Sequence, residues 1–402
     1  MKIAAVIAEY NPFHNGHNYH IQKTREKGCS HVIAVMSGNF VQRGTPAVLD
    51  RFVRAQAAVQ CGVDLVIELP LPWSASAAQD FADGAVQLIK ATGIVDILSF
   101  GCESTDLQLL QNAINKLQAD TTQIKIRQLL EKGLSYPAAV SSALVKAGET
   151  QVCAFLSKPN NMLAMEYCKC IADSNVMPLP ILRIGCEHDA EMSTDSFASA
   201  SFLRNEIYRM YNSDFEIYNL YNAMPIHSLQ LLNTEINNKS APVDLNKFNL
   251  AAIARLQMLS PDNLTALPYV GNGIQHRLYD AVQHAVTFEQ ACDIAKNKQI
   301  THARIRRTLL QATLGMYKLQ PMKKVPYLRV LAMNQAGRSM LKKMQTEATL
   351  PIIMRHADAA KLDDYALQVY NFNQSANDFY NLCLPNPLPG GVDKTKNIFI
   401  EI

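Results

Sequence analysis

The chain has 402 residues, 48% of them hydrophobic and 18% charged, with a formal net charge of +3. That length exceeds one ordinary core, so two or three domains are expected, and the composition is that of a soluble globular protein. The small net charge speaks for no nucleic-acid partner on its own, so any basic surface has to be local. The nine cysteines, at 29, 61, 102, 153, 168, 170, 186, 292 and 383, form no CxxC pair and no Cys/His spacing that closes a tetrahedral zinc site. No metal held by the protein alone is therefore expected, and scattered thiols fit a reducing compartment. The N-terminal apolar run is too short for a signal peptide, and no uninterrupted apolar segment approaches a membrane span of roughly 20 residues. Together these features predict a cytoplasmic protein without a membrane partner; the oligomeric state is left open.

Lys2 to Ala8 reads as a buried strand, and Tyr19, Ile21 and Gln22 lie on a helix that Gly28 can end. Between them stands Glu9-Tyr10-Asn11-Pro12-Phe13-His14-Asn15-Gly16-His17, an HxGH pattern at a strand-to-helix junction. The first N–H groups of a helix lack intrahelical acceptors and sit at its positive end, which makes this junction a seat for phosphate. Gly16 allows close approach to a ligand, and His14 and His17 can donate to phosphate oxygens as charge develops. Attack on the α-phosphate of a nucleotide is the chemistry this arrangement suits. Two histidines three apart are elsewhere often only satisfied polar groups, so the surrounding order of strand, loop and helix carries the functional reading.

Further strands are expected at His31 to Met36, Asp64 to Leu69 and Val95 to Phe100, with helices at Val48 to Gln60 and Ser74 to Thr92. The alternation predicts βαβ units in a Rossmann-like parallel sheet, with the HxGH loop, the Ser37 to Pro46 loop and Gly101 at the carboxyl ends of the strands. Thr105 to Gly148 reads as mostly helical. Lys158-Pro159-Asn160-Asn161 then opens a helix at Met162, capped by Asn161, and Leu179 to Ile184 forms a late strand carrying Arg183. Ser199 or Ser201, with Arg204 one turn on, begins a second helix able to hold a polyphosphate, the arginine neutralising a leaving group. An N-cap serine beside a solvated arginine is the alternative for the same residues.

Beyond Tyr208 the pattern becomes helical. The expected division is a catalytic α/β domain over 1–208, a mainly helical region over 209–321 and a small α/β C-terminal domain over 322–402. The helical region ends in a basic stretch containing Lys296, Lys298, His302, Arg304, Arg306 and Arg307, and Asp and Glu are absent from Lys296 through Lys343. A solvated helix face would look similar, but basic residues without interleaved acids favour a nucleic-acid backbone as partner.

Taken together, Ile7 to His20, Val35 to Gly44, Asp64 to Pro70, Phe100 to Glu103, the Lys158 to Asn161 step, Ser199 to Arg204 and the basic Ile300 to Leu310 stretch resemble the bacterial tRNA(Met) cytidine acetate ligase family. HxGH alone would indicate only the nucleotidylyltransferase superfamily. The resemblance covers essentially the full chain and implies an enzyme that uses ATP to form acetyl-adenylate with release of pyrophosphate. It then acetylates N4 of the wobble cytidine of elongator tRNA(Met), leaving AMP. Carried over, the ATP site comprises Ile7, Ala8, Glu9, Tyr10, Asn11, Pro12, Phe13, His14, Asn15, Gly16, His17, Asn18, Tyr19 and His20. Gly101, Arg183 and an asparagine of the Lys158 to Asn161 step complete it, Asn161 being favoured over Asn160. His14, His17 and Arg204 are the expected catalytic groups, with Ser199 and Ser201 beside the pyrophosphate. Lys296, Lys298, Arg304, Arg306 and Arg307 are the expected tRNA contacts, and Mg²⁺ can enter with ATP. Thr45, Cys102 and Phe202 depart from the family pattern without removing a proposed phosphate ligand. Two other functions fit parts of the chain: a nucleotidylyltransferase joining a nucleotide to a small phosphorylated metabolite, and a tRNA-binding protein without catalysis.

Overall fold

The computed structural model describes residues 1–184, 197–212, 218–271, 273–319 and 324–401. Its first half is built from β1 (Ile3–Ala8), α1 (Asn15–Glu26), β2 (His31–Ser37), β3 (Phe40–Val41), β4 (Thr45–Pro46), α2 (Arg51–Gln60), β5 (Leu65–Leu69), α3 (Ala78–Ala91) and β6 (Ile97–Cys102). Helices α4 (Leu107–Gln118), α5 (Asp120–Glu131), α6 (Tyr136–Lys146), α7 (Thr150–Leu156) and α8 (Pro159–Ile171) follow, then β7 (Met177–Leu182). The helical region comprises α9 (Ala200–Asn212), α10 (Tyr218–Tyr221), α11 (Ile226–Asn237), α12 (Leu245–Gln257), α13 (Pro261–Thr265), α14 (Ile274–Gln283), α15 (Phe288–Ala295) and α16 (His302–Leu314). The chain closes with β8 (Leu328–Met333), α17 (Gln335–Glu347), β9 (Ile352–Ile353), α18 (Asp364–Leu382) and β10 (Phe399–Ile400).

One mostly parallel sheet, in the order β10-β8-β5-β2-β1-β6-β7 with β9 pairing β8, organises the molecule. Its central strands are near-continuous apolar runs because both faces are covered. Ile33 and Val35 enter the core shared with α3 and α8, while Val32, Ala34 and Met36 point to the opposite core with Ile21 of α1 and Ala55 and Ala58 of α2. Edge strand β7 carries Pro178 and Pro180 and exposes Met177 and Leu182. Proline in an edge strand removes donors that a foreign strand would otherwise pair with.

Three expectations change. The Ser37 to Pro46 segment reads as an open loop without hairpin signals, yet β3 and β4 pair antiparallel as a small hairpin. Its Gly44 adopts φ +78, and a Cβ there would lie 2.8 Å from the backbone nitrogen of Arg307, so the hairpin is seated directly on α16. The strands of 322–402 enter the main sheet, β8 running antiparallel to β5 with Leu65 opposite Met333 and β10 lying parallel to β8. Finally, helix starts move: Asp50 caps α2 by accepting from Phe52 N, and α8 begins at Pro159, which places Asn161 inside the helix.

A buried ionic cluster locks the late strands in place. Arg51 on α2 meets Glu68 on β5 at 3.2 Å and Asp393; Arg329 on β8 meets Glu68 at 3.5 Å and Asp393 at 3.6 Å. All four side chains are at most 5% exposed. Such a cluster is tolerable in a low-dielectric interior only because each charge is paired.

Candidate active site

Strand β1 ends at Ala8, and the following loop turns through Tyr10, whose φ of +46 is uncommon for a residue with a side chain. The loop is held from behind. Asn11 Oδ1 accepts from Val48 N at 2.9 Å, Ser228 Oγ donates to Phe13 O at 2.9 Å, and Asn15 N donates to Ala223 O at 2.9 Å. Arg54, fully buried, donates to the carbonyls of Leu49 (2.9 Å), Glu9 (2.5 Å), Ser37 (3.1 Å) and Gly38, so one guanidinium ties together the loops after β1 and β2.

His14 is the N-cap of α1, with extended backbone (φ −138, ψ 174), and forms a capping box with His17. Its Nδ1 accepts from Gly16 N at 3.0 Å, and His17 Nδ1 accepts from His14 N at 3.2 Å. The two rings stack with centroids 3.8 Å apart. Because both Nδ1 atoms accept, each neutral ring carries its proton on Nε2, where it can donate to an anion. Gly16 serves this arrangement directly, since a Cβ at that position would lie 2.8 Å from His14 Cε1.

The histidines are kept neutral. Burial, then the charges of Arg183 and Arg204, lower the His14 pKa to about 3. His17 is pulled well below the usual histidine range by burial and by His14, Arg183 and His20. His20 falls to about 4 through burial and Arg183. Its Nε2 lies 2.9 Å from Ser99 Oγ, which lies 2.7 Å from Thr24 Oγ1; Thr24 in turn donates to His20 O at 2.8 Å. With the Thr24 proton committed, Ser99 donates to Thr24 and accepts from His20, so His20 Nδ1 is an acceptor.

His14, His17, His20 and Arg183 border a cavity of about 240 Å³ at the carboxyl ends of β1, β6 and β7. Of the expected nucleotide residues, Ile7, Ala8, Glu9, Tyr10, Asn11, His14, Gly16, His17, Tyr19, His20, Gly101 and Arg183 line it. Pro12, Phe13, Asn15 and Asn18 do not, nor do Ser199, Ser201 and Arg204, which stand behind Ala200; Phe13 is buried in the core, and Asn15 Nδ2 donates to Asn222 O at 2.8 Å. Asn161 does not line it either. It is buried, its Oδ1 accepting from Glu103 N (2.9 Å) and Ser104 N (3.2 Å) and its Nδ2 donating to Phe155 O (3.1 Å). The asparagine at the cavity is Asn160, oriented by Glu103 Oε1 at 2.6 Å.

At the start of α9, Ser199 Oγ accepts from Phe202 N at 3.1 Å, as a capping serine does, and Ala200 reaches the cavity wall. Arg204 donates to Asn11 O at 2.9 Å and to Ser201 Oγ at 3.1 Å, so it is fastened to the motif loop and is not a solvated surface arginine. Residues 185–196, which include the loop before α9, lie outside the described residues. Contributions not expected from the sequence are Gln42 and Arg43 from the hairpin and an apolar wall of Phe81, Phe100 and Tyr167. The cation in the hairpin loop was the signal for Arg43. For Arg54 the signal was a second arginine three residues after Arg51, on a helix face otherwise filled with alanine. Among the described residues, no group of three or more His, Cys, Asp or Glu could hold a metal ion. No helix there is long and apolar enough to cross a membrane.

The basic stretch divides. Lys296 and Lys298 are exposed at the turn between α15 and α16. Arg306 is half-buried and pairs with Glu289 at 2.6 Å, and Arg304 donates to Tyr269 O at 2.5 Å. The backbone of Arg306 and Arg307 supports Gly44.

Comparison with known proteins extends this picture over the whole chain. The HIGH Nucleotidyl Transferase family matches residues 1–393. A tRNA(Met) cytidine acetate ligase of Acetivibrio thermocellus is 33% identical over 415 aligned positions covering all of both chains. One from Clostridium novyi is 34% identical, covering 92% of this chain and 95% of its own. Crystal structures of Thermotoga maritima TmcAL, at 30% identity and full coverage of both chains, superpose with TM-scores of 0.88 for the form bound with alpha-thio ATP and 0.91 for the apo form.

Proposed function

The chain belongs to the tRNA(Met) cytidine acetate ligase family, and from that premise we propose that it activates acetate with ATP and acetylates N4 of the wobble cytidine of elongator tRNA(Met) in the cytoplasm. The observation that carries the reading is the cavity in which two stacked, neutral imidazoles at a helix N-terminus have Nε2 free to donate. Acetate is a weak nucleophile, so the reaction gains most from placing its oxygen in line with the α-phosphate and stabilising the charge that builds there. In this reading His14 and His17 donate to the α-phosphate oxygens, and Arg204 neutralises the departing pyrophosphate. The cavity-lining residues of the Ile7 to Asn11 and His14 to His20 segments, with Gly101, Asn160 and Arg183, hold the nucleotide. The acetyl-adenylate then transfers its acetyl group to the cytosine amine and AMP leaves. An activated acyl donor is needed because the amine lone pair is delocalised into the ring. The α/β part over 1–208 performs this chemistry, and the helical region over 209–321 receives the tRNA, with Lys296 and Lys298 on its backbone.

The test is mass analysis of nucleosides from tRNA(Met) incubated with the protein, ATP and labelled acetate. N4-acetylcytidine carrying the label, together with AMP and pyrophosphate, is expected. No label in the tRNA, with the label ending instead in a stable nucleotide conjugate that tRNA does not discharge, would replace this function with another nucleotidyl transfer.

A further inference from the structure

Arg43 stands at the turn of the β3–β4 hairpin, lines the cavity, and donates through Nη1 to Ser201 Oγ at 3.1 Å. Arg204 Nη2 donates to the same oxygen, also at 3.1 Å. Two guanidiniums therefore converge on one hydroxyl. Their mutual repulsion registers in Arg204, whose pKa is lowered by burial and then by Arg43. A pair of guanidiniums converging beside a cavity is a forked donor set suited to a multiply charged phosphate anion. Other features point to the same anion. The charges of Arg183 and Arg204 both bear on His14, which places them near the phosphate-activating ring. The first turn of α9 reaches the wall at Ala200 and adds the positive end of a 13-residue helix. The hairpin is not free to carry Arg43 away, because Gly44 rests on the backbone of α16.

We propose that Arg43 is a further catalytic residue, which with Arg204 and Ser201 forms a two-guanidinium seat for the β- and γ-phosphates. The inference rests on the ATP-dependent reading above. When the acetate oxygen forms its bond to the α-phosphorus, the bond to the bridging oxygen breaks and its electron pair leaves with pyrophosphate. Two arginine forks suit that product because each can bind phosphate oxygens in a bidentate manner. A lysine at position 43 would keep the charge and lose the fork.

Calorimetric binding of inorganic pyrophosphate and of AMP to the full chain tests this. Arg43→Ala is expected to weaken pyrophosphate binding at least 10-fold, with Arg43→Lys intermediate, while AMP binding stays within twofold. In acetate-dependent ATP–pyrophosphate exchange, the same alanine variant raises the KM for ATP, whereas transfer from preformed acetyl-adenylate to tRNA is unchanged. Pyrophosphate affinity within twofold of the parent, or an equal loss for AMP, overturns the assignment. Selective loss of tRNA transfer would overturn it too, and would make Arg43 a nucleic-acid contact. Pyrophosphate binding needs no acetate, so a parent protein that failed to activate acetate would refute the functional reading while the Arg43 result stood separately.

Discussion

Replacing His14 separates two jobs that one ring performs. As N-cap it accepts from Gly16 N at 3.0 Å, and as part of the cavity wall it presents a protonated Nε2. Asparagine is a strong N-cap whose carbonyl oxygen can take over the Gly16 bond, but its amide does not reach where the imidazole Nε2 does. His14→Asn should therefore leave stability within about 0.5 kcal/mol of the parent, while His14→Ala loses about 1 kcal/mol with the cap. Removing one preorganised donor to a developing oxyanion typically costs roughly 10² to 10³ in rate, so both variants should fall by about that factor in acetate-dependent ATP–pyrophosphate exchange. Urea unfolding gives the first quantity and exchange the second. If His14→Asn keeps exchange within threefold of the parent, His14 is a structural cap and its assignment to the α-phosphate is refuted.

Other perturbations follow from the same geometry. Lys296→Glu with Lys298→Glu should weaken tRNA binding and shallow its salt dependence by about one unit for each phosphate no longer neutralised, leaving acetyl-adenylate formation intact; equal loss of both activities would place these lysines elsewhere in the mechanism. Reversing Arg304 and Arg306 is a poorer probe, because their bonds to Tyr269 O and Glu289 would break and disturb the helical region. Asp393→Ala strands Arg51 and Arg329 with one remaining carboxylate, and breaking such a buried cluster should cost about 3–5 kcal/mol in urea unfolding; a loss below about 1 kcal/mol would contradict the pairing. The histidines also set an acid limit. Below the unfolded value of 6.5 the unfolded chain binds protons that folded His14 (about 3) and His20 (about 4) do not, so stability should fall as pH drops from 6.5 towards 4. Urea midpoints at pH 7, 5.5 and 4.5 measure this, and His14→Asn should flatten the decline; an unchanged slope would mean that His14 protonates freely in the folded protein.

The alternating strands and helices up to residue 102 were readable because each central strand is a continuous apolar run and each helix carries its own stop. His14, Gly16 and His17 were readable for the same local reason, their spacing being that of a helix start. Asn160 and Asn161 were not separable, because the choice depends on Glu103 from another strand end, which engages both residues and turns only Asn160 to the cavity. Arg306 read as a free surface charge because its partner Glu289 lies on a different helix. Strand β8 looked like the start of a new unit, since nothing local in its sequence says that β5 is its neighbour. That pairing is written instead in Arg329, which lies opposite Glu68 in the β5–β8 register and shares its charge between Glu68 and Asp393.

The antiparallel seam between β5 and β8 bears on how the protein is made. Leu65 leaves the ribosome long before its partner Met333, and in that interval one side of β5 offers unpaired backbone donors and acceptors beside an apolar surface. Pairings this distant in sequence form slowly, and exposed strand edges recruit other chains. During synthesis that edge of β5 stays open until β8 emerges, so the elongation rate through the intervening residues sets how long it is exposed.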